Sequence, residues 1–172
     1  MSQLFKSFGK EKNSAKIVEQ YPWLQETGVI DVLLPKKHDL TLIKLPEHVQ
    51  LLVLGSTPLF FSTRDGGWFP TLRMLHQYPQ MMPRLRADKG AIKFVLSGAN
   101  IMCPGLTSPG ATMHDELDAN TPVAIYGEGT EHAMAVGFTK MSTEEMRQVN
   151  KGIGVDNLHH LNDGLWKTPA LE

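Results

Sequence analysis

Three short apolar runs follow one another between residues 40 and 63, and they restrict the chain to folds that contain a small antiparallel sheet. The runs, at 40–45, 49–54 and 59–63, are rich in Leu, Val and Phe and have the length of ordinary strands. Pro46-Glu47 and Gly55-Ser56-Thr57-Pro58 separate them with residues that favour turns, so the region is expected to form a meander. Before it, Ser14 is placed to cap a short helix ending at Tyr21, because Pro22 disfavours continuation. After it, Asp65-Gly66-Gly67 breaks the chain, and Pro70 suits the first turn of a helix carrying Leu72, Leu75 and the Met74/Tyr78 pair. Pro79 ends that helix. The result is a compact α+β unit over residues 1–80, with Tyr78-Pro79-Gln80-Met81-Met82-Pro83 as the junction to a second domain at 81–172.

The second half begins with a strand near Arg84-Leu85-Arg86, followed by a helix at 89–97 that Asp88 caps and Gly98 stops. Strands are expected at 100–103, 122–127 and 132–138, with Pro104-Gly105 as a turn. Ser142-Thr143-Glu144-Glu145 is a capping box that opens another helix. Gly152 and Gly154 read as loop punctuation, and a last strand is expected at 161–166, interrupted by Asn162-Asp163-Gly164. On the helix at 89–97, Ala91, Ile92, Val95 and Leu96 share one stripe and should face the core. Phe94 lies well off that stripe, so it either packs against the first domain or is presented to a partner as an aromatic anchor.

Charge is divided unevenly. Residues 1–90 hold 12 Lys and Arg against 8 Asp and Glu, whereas residues 91–172 hold 5 against 10. Any attraction for phosphate should therefore come from the first half, with Lys36, Lys37, Arg73, Arg84, Arg86 and Lys89 as the candidate basic surface. A single cysteine, Cys103, allows no internal disulfide and no thiolate cage for zinc, and its setting suits a buried thiol better than a nucleophile. Seven histidines invite a metal reading, but no H-x-x-x-H or H-E-x-x-H spacing occurs, and neither metal nor cofactor is expected. Gly152-Ile153-Gly154 lacks the third glycine and the preceding strand of a dinucleotide fingerprint. No apolar run is long enough to span a membrane, and the opening residues lack a signal-peptide core, so a cytoplasmic location is expected.

The string Asp88-Lys89-Gly90-Ala91-Ile92-Lys93-Phe94-Val95-Leu96-Ser97-Gly98-Ala99-Asn100-Ile101-Met102-Cys103-Pro104-Gly105 resembles the PUA-domain pattern of helix, Gly-Ala turn, strand and Pro-Gly turn. Together with Leu106-Thr107-Ser108-Pro109-Gly110-Ala111, Val149-Asn150-Lys151-Gly152-Ile153-Gly154 and Leu161-Asn162-Asp163-Gly164-Leu165-Trp166, it resembles the malignant T-cell-amplified sequence family. In the first half, Leu34-Pro35-Lys36-Lys37, Leu59-Phe60-Phe61 and Phe69-Pro70-Thr71-Leu72-Arg73-Met74-Leu75-His76-Gln77-Tyr78-Pro79 are similar to the same family. The resemblance implies an α+β fold in which a small pre-PUA domain packs on a PUA pseudo-β-barrel. It also implies a non-catalytic factor that pairs with density-regulated protein on the small ribosomal subunit, acting in tRNA release and recycling, reinitiation and non-standard initiation. Lys93, Ser97, Gly98, Ala99, Asn100, Pro104, Gly105, Thr107, Ser108, Pro109, Gly110 and Ala111 would then face tRNA or rRNA, glycine serving where a phosphate or ribose approaches the backbone. Phosphate on Ser108 would add about two negative charges to that loop. The competing readings are an accessory subunit of an RNA-modification enzyme and a general PUA RNA-binding adaptor.

Overall fold

The computed structural model describes residues 4–7, 10–35 and 40–171; Lys36 and Lys37 lie outside them. The chain divides into two compact units, Met1–Met81 together with Thr168–Glu172, and Met82–Lys167. The Leu171 N–H donates to Ser56 O at 2.7 Å within the first.

In the first unit the expected meander is present as β2 (Leu40–Lys44), β3 (Gln50–Leu54) and β4 (Thr57–Ser62). Two further strands, β1 (Leu4–Ser7) and β5 (Phe69–Pro70), complete an antiparallel sheet of order β1-β2-β3-β4-β5. The middle strand is the uninterrupted apolar run, and Leu51, Leu52 and Val53 are all buried. Thr57-Pro58 belongs to β4 rather than to the preceding turn. The register shifts there, pairing Val53 with Pro58 and Leu52 with Phe60, and such an irregularity tolerates a residue without an N–H.

Helices α1 (Lys10–Gln20), α2 (Pro22–Glu26) and α3 (Val29–Leu33) precede the meander. Ser14 lies inside α1 and does not cap it, because the helix already begins at Lys10 in a stretch of good helix formers. Pro22 does end α1, then opens α2 at a position where a missing N–H costs nothing. Buried Tyr21 donates its hydroxyl to Trp68 O, while Gln20 Oε1 accepts the Trp68 N–H at 2.7 Å, tying this helical run to the start of β5. Helix α4 (Leu72–Gln77) is capped by Thr71, whose Oγ1 accepts the Met74 N–H at 3.3 Å. Pro70 is therefore a residue of the edge strand β5 and not the first helical residue; an edge is where a strand accepts proline.

The second unit is a curled six-stranded sheet of order β7-β11-β10-β9-β6-β8. Its strands are β6 (Arg84–Ala87), β7 (Ile101–Met102), β8 (Thr112–Met113), β9 (Pro122–Gly127), β10 (Ala135–Thr139) and β11 (Ile153–His160). Only β6 and β9 run parallel; every other pairing is antiparallel. The sheet wraps a core that includes Leu85, Ile101, Leu106, Ile125, Met146 and Val155. Helix α7 (Thr143–Val149) starts at the expected capping box, Ser142 Oγ accepting the Glu145 N–H at 3.1 Å.

Three expectations for this unit are corrected. Cys103 and Pro104-Gly105 are not a strand end and a turn but the opening of helix α6 (Cys103–Thr107), where proline's preset backbone fits the first turn. Gly154 is a strand residue of β11, lying 3.4 Å by its would-be Cβ from Cys103 Sγ and Leu106 Cδ1. The last strand ends at His160 and not at Trp166, because Asp163 draws the chain into a turn. Its carboxylate accepts from His159 Nδ1 at 2.8 Å, the His160 N–H at 3.0 Å and the Trp166 N–H at 2.8 Å, a local alternative to ladder bonding.

This turn carries a testable acid sensitivity. Burial by itself pushes the Asp163 pKa up, but the hydrogen bonds from His159, Trp166 and His160 outweigh it and bring the value from the ordinary 3.8 to about 2. Folding thus favours the ionised form: the stabilisation is complete above about pH 4 and is lost as pH falls towards 2, an effect of about 2 kcal/mol. Urea midpoints measured between pH 5 and 2 should fall less steeply for Asp163→Asn than for the parent chain. Equal slopes would show that the turn does not depend on the carboxylate charge.

Candidate nucleic-acid interface

A single aspartate organises the start of this region. Asp88 Oδ1 accepts the Ala91 N–H at 2.8 Å, capping a 3-10 turn (Lys89–Ala91) that leads into α5 (Ile92–Val95). Its own N–H donates to Gly105 O at 2.9 Å, and its Oδ2 accepts the Ser108 hydroxyl. The cap of one helix is thus bonded to the body and end of another. A Cβ on Gly105 would stand 3.3 Å from Ala91 Cβ, so glycine allows the two segments to meet.

At the other end of α5 the chain turns at Gly98, whose φ of 94° is the left-handed conformation expected of a helix stop. Asn157 on β11 holds this turn in place. Its Nδ2 donates to Val95 O and Ala99 O, each at 3.0 Å, and its backbone N–H donates to Asn100 Oδ1 at 2.9 Å. The Ser97 hydroxyl bonds back to Phe94 O at 2.7 Å.

Between these two fixed ends opens a groove of about 740 Å³, with Phe94, Ala99, Asn100, Pro104, Gly105 and Ser108 among its lining residues. Its rim is unusually apolar: Phe94 is 57% exposed, Met102 48% and Ile153 38%. The expected core stripe holds, Val95 being buried and Ala91, Ile92 and Leu96 packed against the core cluster. Phe94 stands outside it, with Lys93 Nζ 5.1 Å from its ring centroid.

The remaining expected RNA-facing residues flank the groove. Thr107 Oγ1 is bonded to Cys103 O and paired with Asn150, and the Ala111 N–H donates to Ser108 O. Pro109 is exposed. Gly110 lies under the Glu128 carboxylate, whose Oε2 also accepts the Lys89 N–H at 2.8 Å. Sequence reasoning missed Met102, Ile153, Asn157 and Glu128. Met102 was accessible through strand alternation, since Ile101 points inward and its neighbour therefore outward; Ile153 falls in a stretch that reads as a loop, and Asn157 and Glu128 act through contacts across more than 35 residues, for which a single sequence carries no signal.

Among the candidate cations, Arg84 and Lys89 are exposed near the start of this region. Arg86 is half-buried, its guanidinium donating to Gly127 O and Thr130 O, so it is anchored to the protein. Arg73 belongs to α4 of the first unit and is exposed. Cys103 is fully buried, and burial pushes its thiol pKa up, away from the reactive thiolate. Among the described residues no cluster of His, Cys, Asp and Glu is arranged to hold a metal ion, and no helix is long and apolar enough to cross a membrane.

A helix-capped groove on a curled sheet with one parallel strand pair, preceded by a small α+β unit, defines a PUA protein with a pre-PUA domain. Residues 2–79 match the pre-PUA-like domain and residues 83–161 the PUA domain. The chain is 51% identical over 171 residues to the malignant T-cell-amplified sequence 1 homolog of Drosophila melanogaster, covering 99% of this chain and 92% of the relative. It is 50% identical over 151 residues to malignant T-cell-amplified sequence 1 of Rattus norvegicus, covering 88% and 81%. It belongs to the malignant T-cell-amplified sequence family. The fold is also that of a hypothetical protein from Pyrococcus horikoshii, with a TM-score of 0.74 at 23% identity over 97% of this chain and all of the other.

Proposed function

We propose that this chain is a non-catalytic translation factor that pairs with density-regulated protein and acts on the small ribosomal subunit. Its steps are tRNA release and recycling, reinitiation and non-standard initiation, with the second domain contacting tRNA or rRNA. The observation that carries the reading is the groove between α5 and α6, built within a PUA domain, with Asp88 fixing one end and Asn157 anchoring the turn at the other. Its exposed backbone turn at Gly98-Ala99-Asn100 suits close approach by ribose and phosphate. Its apolar rim suits the flat face of an unstacked base or an apolar partner surface.

The second half of the chain is acidic, with 5 Lys and Arg against 10 Asp and Glu. RNA is therefore held by shape and a few hydrogen bonds rather than by bulk attraction, and the isolated chain should bind tRNA weakly at physiological salt. The decisive experiment is sedimentation with purified small subunits, with and without density-regulated protein. Comigration that strengthens with the partner is the expected result. Persistent absence from the subunit fraction would favour a general RNA-binding adaptor.

A further inference from the structure

The parallel pair β6 and β9 has a second face that the groove does not use. Its register sets Arg84 beside Ala124, Leu85 beside Ile125 and Arg86 beside Tyr126. Leu85 and Ile125 lie in the domain core, so by strand alternation Arg84, Arg86 and Tyr126 project from the opposite side. There the two guanidinium carbons stand 6.0 Å and 5.4 Å from the Tyr126 ring centroid. Tyr126 is 4% exposed, and its ring is a platform beneath two cations.

The two arginines differ in what they are free to do. Arg86 is fixed by the carbonyls of Gly127 and Thr130, which are neutral and leave its charge uncompensated. Arg84 is exposed, and among the described residues neither arginine is ion-paired with a carboxylate. Antiparallel β8 pairs Met113 with Leu85, which brings His114 beside Arg84. Asp115 is the opposing charge at this edge, and its Oδ2 is engaged by the Arg84 backbone N–H at 2.9 Å. The His114 pKa is lowered by burial and then by the Arg84 and Arg86 charges, Asp115 countering them less, so the cationic field extends across to β8.

We propose that this face is a second RNA contact, separate from the groove, in which the exposed Arg84 guanidinium, lying over the Tyr126 ring, takes a backbone phosphate while the anchored Arg86 adds positive charge beside it. The inference rests on the RNA-binding reading above. A planar guanidinium lying over an aromatic ring is narrowed in its orientations, and its paired N–H groups are donors that phosphate oxygens accept two at a time. It also supplies local attraction in a domain whose overall charge repels RNA.

The test uses the full chain, fluorescently labelled tRNA and a series of salt concentrations starting low, with Arg84→Ala, Arg84→Glu, Arg84→Lys and the groove variant Ala99→Glu compared. Urea midpoints confirm folding; both substituted residues are exposed. Arg84→Ala is expected to weaken binding several-fold and to reduce the slope of log affinity against log salt by about 0.7 to 0.9. Arg84→Glu should weaken it further, and Arg84→Lys should retain the slope. Silent Arg84 variants beside a weakened Ala99→Glu would overturn the second contact and leave the RNA-binding reading standing. No binding by the parent chain even at low salt would overturn both. Displacement of tRNA by deca-glutamate as readily as by an oligouridylate of equal charge would show a general polyanion surface and would also overturn the proposal.

Discussion

Under the proposed pairing with density-regulated protein, Phe94→Asp is expected to weaken that association at least 100-fold, roughly 3 kcal/mol, while the urea stability of the chain moves by no more than about 0.5 kcal/mol. The separation follows from where the side chain lies. Phe94 is 57% exposed on the rim of the groove, and its backbone carbonyl, not its ring, accepts the Ser97 hydroxyl and the Ala99 N–H. Removing the ring leaves the turn bonded and the Val95 side of the helix packed. Among the contacts given up is that with Lys93 Nζ, an exposed cation–π pair of about 0.5 kcal/mol. On the binding side, Met102 and Ile153 extend the same apolar rim, and an aromatic ring centred in such a patch is the kind of residue that dominates an interface. Binding titration by calorimetry reads the loss. A folded Phe94→Asp that binds the partner normally would remove Phe94 from the interface and leave the rim to RNA alone.

What could be read in advance divides along the range of the interactions involved. Local chemistry was legible: the Asp88 and Ser142 caps and the Gly98 stop each depend on residues within a turn of one another, and all three are present. Strands with an uninterrupted apolar run, such as Leu51-Leu52-Val53, were equally plain. The errors arose where a side chain decided between two local options. Pro104 is compatible with a turn or with a first helical turn, and α6 forms because Leu106 gains burial in the core. The 161–166 segment has strand-like residues, yet Asp163 captures three donors and ends the ladder at His160. The candidate groove was legible as a string of residues on its floor. The contacts that hold it in place were not, because Asn157 reaches Val95 O and Ala99 O across 62 and 58 positions and Glu128 reaches Lys89 across 39. Charge counting likewise singled out Arg84 and Arg86 together, while the structure separates an exposed cation from an anchored one.

Gly137→Ala should destabilise the chain by about 2 to 3 kcal/mol, and Gly137→Val by more. Gly137 sits on β10 opposite Asn157, next to the register shift that follows Val136. A Cβ built there stands 2.4 Å from Val155 Cγ1 and 2.8 Å from Asp156 O. Both are below any ordinary contact, and the second is backbone, so no rotamer change relieves it. The strands must separate, and β11 carries both Val155 in the core and Asn157 under the groove. Loss of that pairing therefore reaches the candidate site as well as the core: the Asn157 amide withdraws from Val95 O and Ala99 O, and the Gly98-Ala99-Asn100 turn loses its anchor. Val155→Ala removes the methyl clash and leaves the carbonyl one, so in a double-mutant cycle it should restore only part of the Gly137→Ala loss. Amide exchange gives the spatial readout, with protection falling at Asn157 and Ala99 along with the β10–β11 ladder. Unchanged protection at Ala99 in a destabilised Gly137→Ala chain would show that the turn stands without β11.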